Sequence, residues 1–211
     1  MRLVLASASP ARLATLRSAG VEPRVVVSGV DEPAVVASAR SAYADLEPAD
    51  VALLLARAKC EDVSSREDVT DCVVLGCDSV LEMDGREYGK PGDADTAIAR
   101  WRAMRGREGV LHTGHWLIDE RAESTGATFG VTCSTVVHFA DLSDAEIDAY
   151  VATGEPLSVA GGFTVDGLGG AYVTAIEGDF HNVVGVSLTT LREMLGQLEV
   201  AWHELWSAPH R

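Results

Sequence analysis

The sequence predicts an α/β fold: a mixed, twisted sheet with flanking helices. Strand and helix patterns alternate as far as Met104, the order that produces parallel sheet, whereas strands dominate afterwards and read as antiparallel. The 211 residues are 47% hydrophobic with charge scattered throughout, as in a globular chain large enough for one domain or two small lobes. No internal repeat or long linker interrupts them. We expect one domain over residues 1–199, followed by a C-terminal tail over 200–211.

The elements follow in order. "RLVLA" reads as a short buried strand. Ser9 is a good N-cap, Pro10 suits the first helical position, where a missing N–H costs nothing, and Gly20 ends the helix. "PRVVVSGV" predicts a second strand and "VDEPA" the start of a loop; residues 34–48 are alanine-rich and helical in part. Pro48 and Asp50 open a clear helix ending near Asp62. Val73 to Gly76 predicts a buried strand, with Asp78 just past its end. Asp84-Gly85 is a strong two-residue hairpin signal, and the returning strand brings Lys90 toward Asp78. A helix is expected from Asp93 to Met104, then the basic turn "RGREG" and two long strands. Ser143 and Glu146 form a capping box for "LSDAEIDAYV". The run "EPLSVAGGFTVDGLGGAYV" holds five glycines and few charges, as a backbone packed closely against something would; with no helix directly after it, it is no dinucleotide fingerprint. A strand, "AYVTAI", and one amphipathic helix, "NVVGVSLTTLREMLGQL", complete the chain before its tail.

Composition narrows the function. A formal net charge of -15 argues against nucleic acid or an anionic membrane as a partner. It leaves room for a small polyanion, because repulsion is screened within about 8 Å at physiological salt. No apolar run approaches the ~20 residues that span a bilayer, and the N-terminus lacks the features of a signal peptide, so a cytoplasmic protein is expected. Cys60, Cys72, Cys77 and Cys133 show no C-x-x-C spacing and read as buried, reduced thiols. The six histidines form no H-x-x-x-H pair and receive no metal role. Of 17 basic residues only Lys59 and Lys90 are lysines, in a chain that otherwise uses arginine. A lysine that remains is a stronger functional candidate than usual.

Four places invite chemistry. Ser7, Ser9 and Arg12 gather at a helix N-terminus, a ready anion site, although the same residues suit an ordinary capped helix with a surface arginine. Asp78 with Lys90 suits a metal–phosphate arrangement, or Asp78 caps a turn. Lys59 is a candidate cation or a snorkelling surface lysine. Arg105 and Arg107 either reach a phosphate or are solvated.

Taken in order, "LASASPAR", "VDEP" before "ARAK", "GCDSVL", "GKP", "LSDAEIDAYV", "GEPLSVAGGFTVDGLGG" and "EGDFHNVVGVSL" resemble the Maf family, the septum-formation or house-cleaning nucleoside triphosphate pyrophosphatases, from about Leu3 to Leu195. The resemblance implies a two-lobed fold similar to inosine triphosphate pyrophosphatases. It implies hydrolysis of a nucleoside triphosphate between the α and β phosphates, to nucleoside monophosphate and pyrophosphate. A divalent metal, Mg²⁺ or Mn²⁺, cytoplasmic action, a homodimer and a link to cell division are implied as well. By position, Asp78 matches the family's proton acceptor, and Ser7, Arg12, Glu32, Lys59 and Lys90 match its substrate-binding residues. Asp78 and Glu32 would hold the metal. An aspartate of ordinary pKa, about 3.9, is a weak base, so the metal is expected to lower the pKa of the attacking water while Asp78 assists.

Three positions depart from the pattern: Ala11 stands for a common arginine, Ser79 for threonine and Asp166 for glutamine. These are specificity positions in the family, and "RGREG" replaces its S-G-x-T-H. An acidic Asp166 would accept from an exocyclic amine or ring N–H, favouring guanine-like or cytosine-like edges. Rival readings are an inosine/xanthosine triphosphate pyrophosphatase, a nucleotide-binding regulator of cell division with little turnover, and a scaffold protein. Asp78, Lys59 and Lys90 argue against the last.

Overall fold

The buried run Leu3–Ala6 forms strand β1, the start of a seven-stranded sheet in the computed structural model, which describes residues 1–43, 45–124 and 126–207. The other strands are β2 (Arg24–Val25), β3 (Val73–Met83), β4 (Arg86–Tyr88), β5 (Glu108–Asp119), β6 (Thr128–Phe139) and β7 (Val173–Glu177). Their order is β2-β1-β3-β5-β6-β7, with β4 also paired to β3. β1 runs parallel to β2 and β3; every other pairing is antiparallel. The fold is thus mixed α/β. Among the described residues no helix is long and apolar enough to cross a membrane.

One feature of β3 positions everything that follows. On one edge it pairs continuously with β5. On the other, β1 covers it only up to Gly76 and β4 resumes only at Leu81. Residues 77–80 therefore border a gap in the sheet. The sequence places Asp78 beyond a strand end, but the strand continues through it, and the break belongs to the neighbour. Polar residues are tolerated mid-strand because this stretch of edge faces an opening.

Among the described residues seven α-helices flank the sheet: α1 (Pro10–Ser18), α2 (Glu32–Ala42), α3 (Pro48–Ser64), α4 (Ala94–Met104), α5 (Asp144–Ala152), α6 (Phe180–Val184) and α7 (Leu188–Gln197). Alternation along β3 separates two faces. Val73, Leu75 and Cys77 pack with Leu16 of α1 and Leu191, Met194 and Leu195 of α7. Farther along the same face, Leu81 and Met83 pack with Trp101 of α4 and Ile147 and Tyr150 of α5. Ser79, of the same parity, falls between these two apolar clusters. The opposite face receives α3. At two glycines helix and sheet meet backbone to backbone: a Cβ on Gly76 would lie 2.1 Å from the Ala56 carbonyl oxygen, and one on Gly114 would lie 2.4 Å from that of Ala52. This contact brings α3 down over Asp78.

Local signals are realised where they are strongest. Ser9 accepts from the Arg12 amide with Pro10 in the first turn, the Ser143–Glu146 capping box forms, and Asp84 and Gly85 both have positive φ at the β3–β4 turn. Four expectations change. The second strand shrinks to two residues. Asp31 caps α2, so Glu32 opens a helix and not a loop. The last amphipathic segment is two helices, broken at Gly185 (φ 124°) and restarted by the Ser187 cap. Cys60, Cys72 and Cys77 are buried, but Cys133 is partly exposed. The tail makes a short 3-10 turn at Trp202–Leu205 and a bridge from Trp206 to Val21; residues 208–211 lie outside the described residues.

Candidate active site

The gap in the sheet opens into a cavity of about 420 Å³. The residues matched to the family line it, with Ser9: Ser7 and Ser9 from the β1–α1 turn, Ala11 and Arg12 from the first turn of α1, Glu32 from α2, Lys59 from α3, Asp78 and Ser79 from β3, Lys90 after the hairpin, and Asp166 from the glycine-rich run. Arg105 and Arg107 stay outside; they pair with Asp144 and Asp84 on the surface.

Lys59 is not a surface lysine. Its side chain is 10% exposed, and Nζ lies 2.5 Å from Asp78 Oδ1 and 2.7 Å from Glu32 Oε1. One ammonium thus holds two carboxylates from different elements at the mouth of the gap. Burial pushes the Glu32 carboxyl upward, but the bond to Lys59 and the charges of Lys59, Lys90 and Arg12 outweigh it and hold the group below its ordinary value.

Arg12 is held differently. Its guanidinium donates from Nε to the Gly185 carbonyl at 2.7 Å, from Nη1 to Ser7 Oγ at 3.1 Å and from Nη2 to Ser79 Oγ at 3.0 Å. All three partners are neutral, and the residue is 9% exposed. Among the described residues neither Arg12 nor Lys90 makes an ion pair, although both line the cavity. A nearly buried cation without a carboxylate is costly unless an anion completes it. The capped N-terminus of α1 adds its dipole on the same side. The cavity is therefore built to receive negative charge.

Residues 2–198 match the family model described as Maf-like protein. The chain belongs to the Maf family. A nucleoside triphosphate pyrophosphatase of Leifsonia xyli subsp. xyli is 54% identical over 209 residues, covering 98% of this chain and 97% of that protein. Another of that name, from Salinispora tropica, is 55% identical over 210 residues, covering 98% and 88%. The crystal structure of a nucleoside-triphosphatase, dITP/XTP pyrophosphatase, from Mycobacterium abscessus aligns at 18% identity and a TM-score of 0.35, covering 67% of this chain and 76% of that one.

Sequence reasoning missed two supports of this Maf site. Glu155 is the first. Its carboxylate accepts from Tyr150 Oη at 2.9 Å, Thr164 Oγ1 at 2.5 Å and the amides of Leu168 and Gly169 at 3.0 and 2.9 Å. It gathers the glycine-rich run around itself, which presents Val165 and Asp166 to the cavity; despite burial, these bonds hold its carboxyl below the ordinary value. Its signal was its place as one of few charges in that run. His115 is the second: Nε2 accepts from the Ser187 amide at 2.8 Å, fixing the α6–α7 junction that carries Gly185. Burial first, then the charge of Arg12, push its imidazole down to about 4, so the ring stays a neutral acceptor.

A divalent metal, as the family implies, would need hard oxygen donors beside the phosphate site. Among the described residues no three His, Cys, Asp or Glu side chains gather into a metal cage. Asp78 and Glu32 offer hard carboxylate oxygens on either side of Lys59. Mg²⁺ is typically held by one or two carboxylates plus substrate phosphates and water, so these residues fit a metal that arrives with a polyphosphate.

Proposed function

We propose that this chain is a metal-dependent nucleoside triphosphate pyrophosphatase that hydrolyses the α–β phosphoanhydride. The observation that carries the reading is that Arg12 and Lys90, neither in an ion pair among the described residues, share one cavity with the Lys59-bound Asp78. Phosphoryl-type hydrolysis needs positioning and charge neutralisation more than covalent chemistry. Arg12, Lys90 and the α1 N-terminus would take the negative oxygens of the triphosphate. Lys59 orients the Asp78 carboxylate and keeps one of its oxygens engaged, leaving the other for water. That water would attack the α-phosphorus, give its proton to Asp78 and release pyrophosphate as the α–β bond breaks. Asp78 and Glu32 would hold Mg²⁺ or Mn²⁺, which when bound would neutralise phosphate charge and lower the pKa of water. Asp166 would accept from a base edge carrying N–H groups. The names of relatives more than half identical over nearly their whole length support the reaction class.

Product analysis tests the reading. Nucleoside triphosphates, canonical and modified, are incubated with the protein and Mg²⁺ or Mn²⁺, with a chelator in parallel. Monophosphate and pyrophosphate are expected, and none with chelator. Diphosphate and orthophosphate would place the cut elsewhere. Tight binding without turnover would favour a nucleotide-binding regulator, a reading that Ala11, at the position of a common arginine, keeps in view.

A further inference from the structure

A chain of hydroxyls runs from the cavity into the core behind it. Ser79 and Thr113 face each other across the β3–β5 register, with their oxygens 2.9 Å apart. Thr113 Oγ1 also lies 3.0 Å from the main-chain carbonyl of Asn182 in α6. Thr113 and Asn182 are both fully buried. On its cavity side, Ser79 Oγ receives the Arg12 Nη2 donor.

Each hydroxyl owns a single proton, so direction can be assigned along the chain. The Asn182 carbonyl only accepts, and the Thr113 proton is placed to reach it. Turning that proton to Ser79 would deprive a fully buried carbonyl of this donor, and turning the Ser79 proton to the cavity would leave two lone pairs facing each other across the 2.9 Å contact and set the proton beside the Arg12 donor. Thr113 therefore donates to Asn182, Ser79 donates to Thr113, and Arg12 donates to Ser79. With its proton committed inward, the Ser79 oxygen turns lone pairs toward Arg12 and the cavity.

We propose that Thr113, which does not touch the cavity, is a positioning residue: by taking the Ser79 proton it fixes Ser79 as an acceptor and locks the Arg12 guanidinium in its anion-binding orientation. The proposal rests on the reading of Arg12 as a phosphate ligand. It also makes Ser79 an acceptor only, so a substrate group meeting it must carry an N–H or O–H.

The test measures calorimetric binding of inorganic pyrophosphate, with KM and kcat for a turned-over triphosphate in parallel. Thr113→Val keeps the shape and removes the hydroxyl, and Thr113→Ser keeps the hydroxyl. Thr113→Val should weaken pyrophosphate binding and raise KM by roughly fivefold to tenfold, the worth of one hydrogen bond between neutral groups, with Thr113→Ser within about twofold of the native protein. The effect should vanish in a Ser79→Ala background, where there is no proton to direct. If Thr113→Val does not fold, Thr113→Ala, which lacks the same hydroxyl, gives the same reading. Unchanged binding and KM in a folded hydroxyl-free variant would overturn the proposal, as would an equal loss in the Ser79→Ala background. Native turnover with those results sinks the positioning role alone. A native protein that binds pyrophosphate in a Thr113-dependent way without turnover sinks the pyrophosphatase reading alone, and one that neither binds nor turns over sinks both.

Discussion

Lys59 is the charge on which the site turns, and removing it should cost stability as well as activity. Its side chain is 10% exposed and Asp78's is 13%, so both sit largely out of water; Glu32, at 39%, is better solvated. Breaking a buried pair by deleting one partner costs about 3–5 kcal/mol, because the other charge is left uncompensated. Water reaching Glu32, and the remaining charges of Lys90 and Arg12, reduce that. Lys59→Met should therefore lose roughly 2–3 kcal/mol, which for a chain of this size lowers Tm by roughly 5–10 °C. The loss should be electrostatic. In the Lys59→Met background, Asp78→Asn removes the stranded carboxylate and should recover part of it, whereas Asp78→Asn alone should not stabilise the native protein. Urea denaturation of the four proteins in this cycle measures the coupling. A Lys59→Met loss below about 0.5 kcal/mol, the range of an exposed pair, would refute the reasoning.

Three further outcomes follow from the same geometry. The His115 imidazole is held down to about 4 against 6.5 unfolded, so the unfolded chain binds the extra proton first; stability should fall as pH drops from about 6.5 to about 4, by about 3 kcal/mol, and His115→Asn should flatten that limb of a denaturation-versus-pH series. Gly76→Ala would drive a Cβ to 2.1 Å from the Ala56 carbonyl oxygen, lifting α3 from β3; a loss of about 1–3 kcal/mol is expected, together with turnover, because Lys59 moves away from Asp78. Glu155→Gln exchanges a carboxylate that accepts four hydrogen bonds for an amide and should raise KM with little change in kcat, since it loosens the run that presents Asp166 and touches no reacting atom; a kinetic pair identical to native would contradict that role.

What was legible in the sequence was mostly local chemistry. Ser9-Pro10, Asp84-Gly85 and Ser143 with Glu146 each specify a cap or turn through their own side chains, and all three formed. The candidate site was legible because its residue types are unusual here: two lysines among arginines, and polar residues beside apolar runs. Illegible features depend on partners far along the chain. That β3 runs on through Asp78 follows from its unbroken pairing with β5, and the gap beside it from β1 stopping at Gly76 and β4 resuming at Leu81, which no window around Asp78 reveals. The break at Gly185 hides inside an apolar run whose pattern continues across it. The link from Thr113 to Arg12 exists only through strand register.

The central claim is that Asp78 serves chemistry and not merely the binding of charge. The measurement that tests it most directly is the rate of pyrophosphate release by Asp78→Asn beside the native protein, under saturating metal and triphosphate, with nucleotide affinity measured on the same samples. The account predicts a folded variant that still binds nucleotide while its kcat falls by about 10²–10⁴, the range of a lost general base. A folded Asp78→Asn protein with native turnover would contradict it.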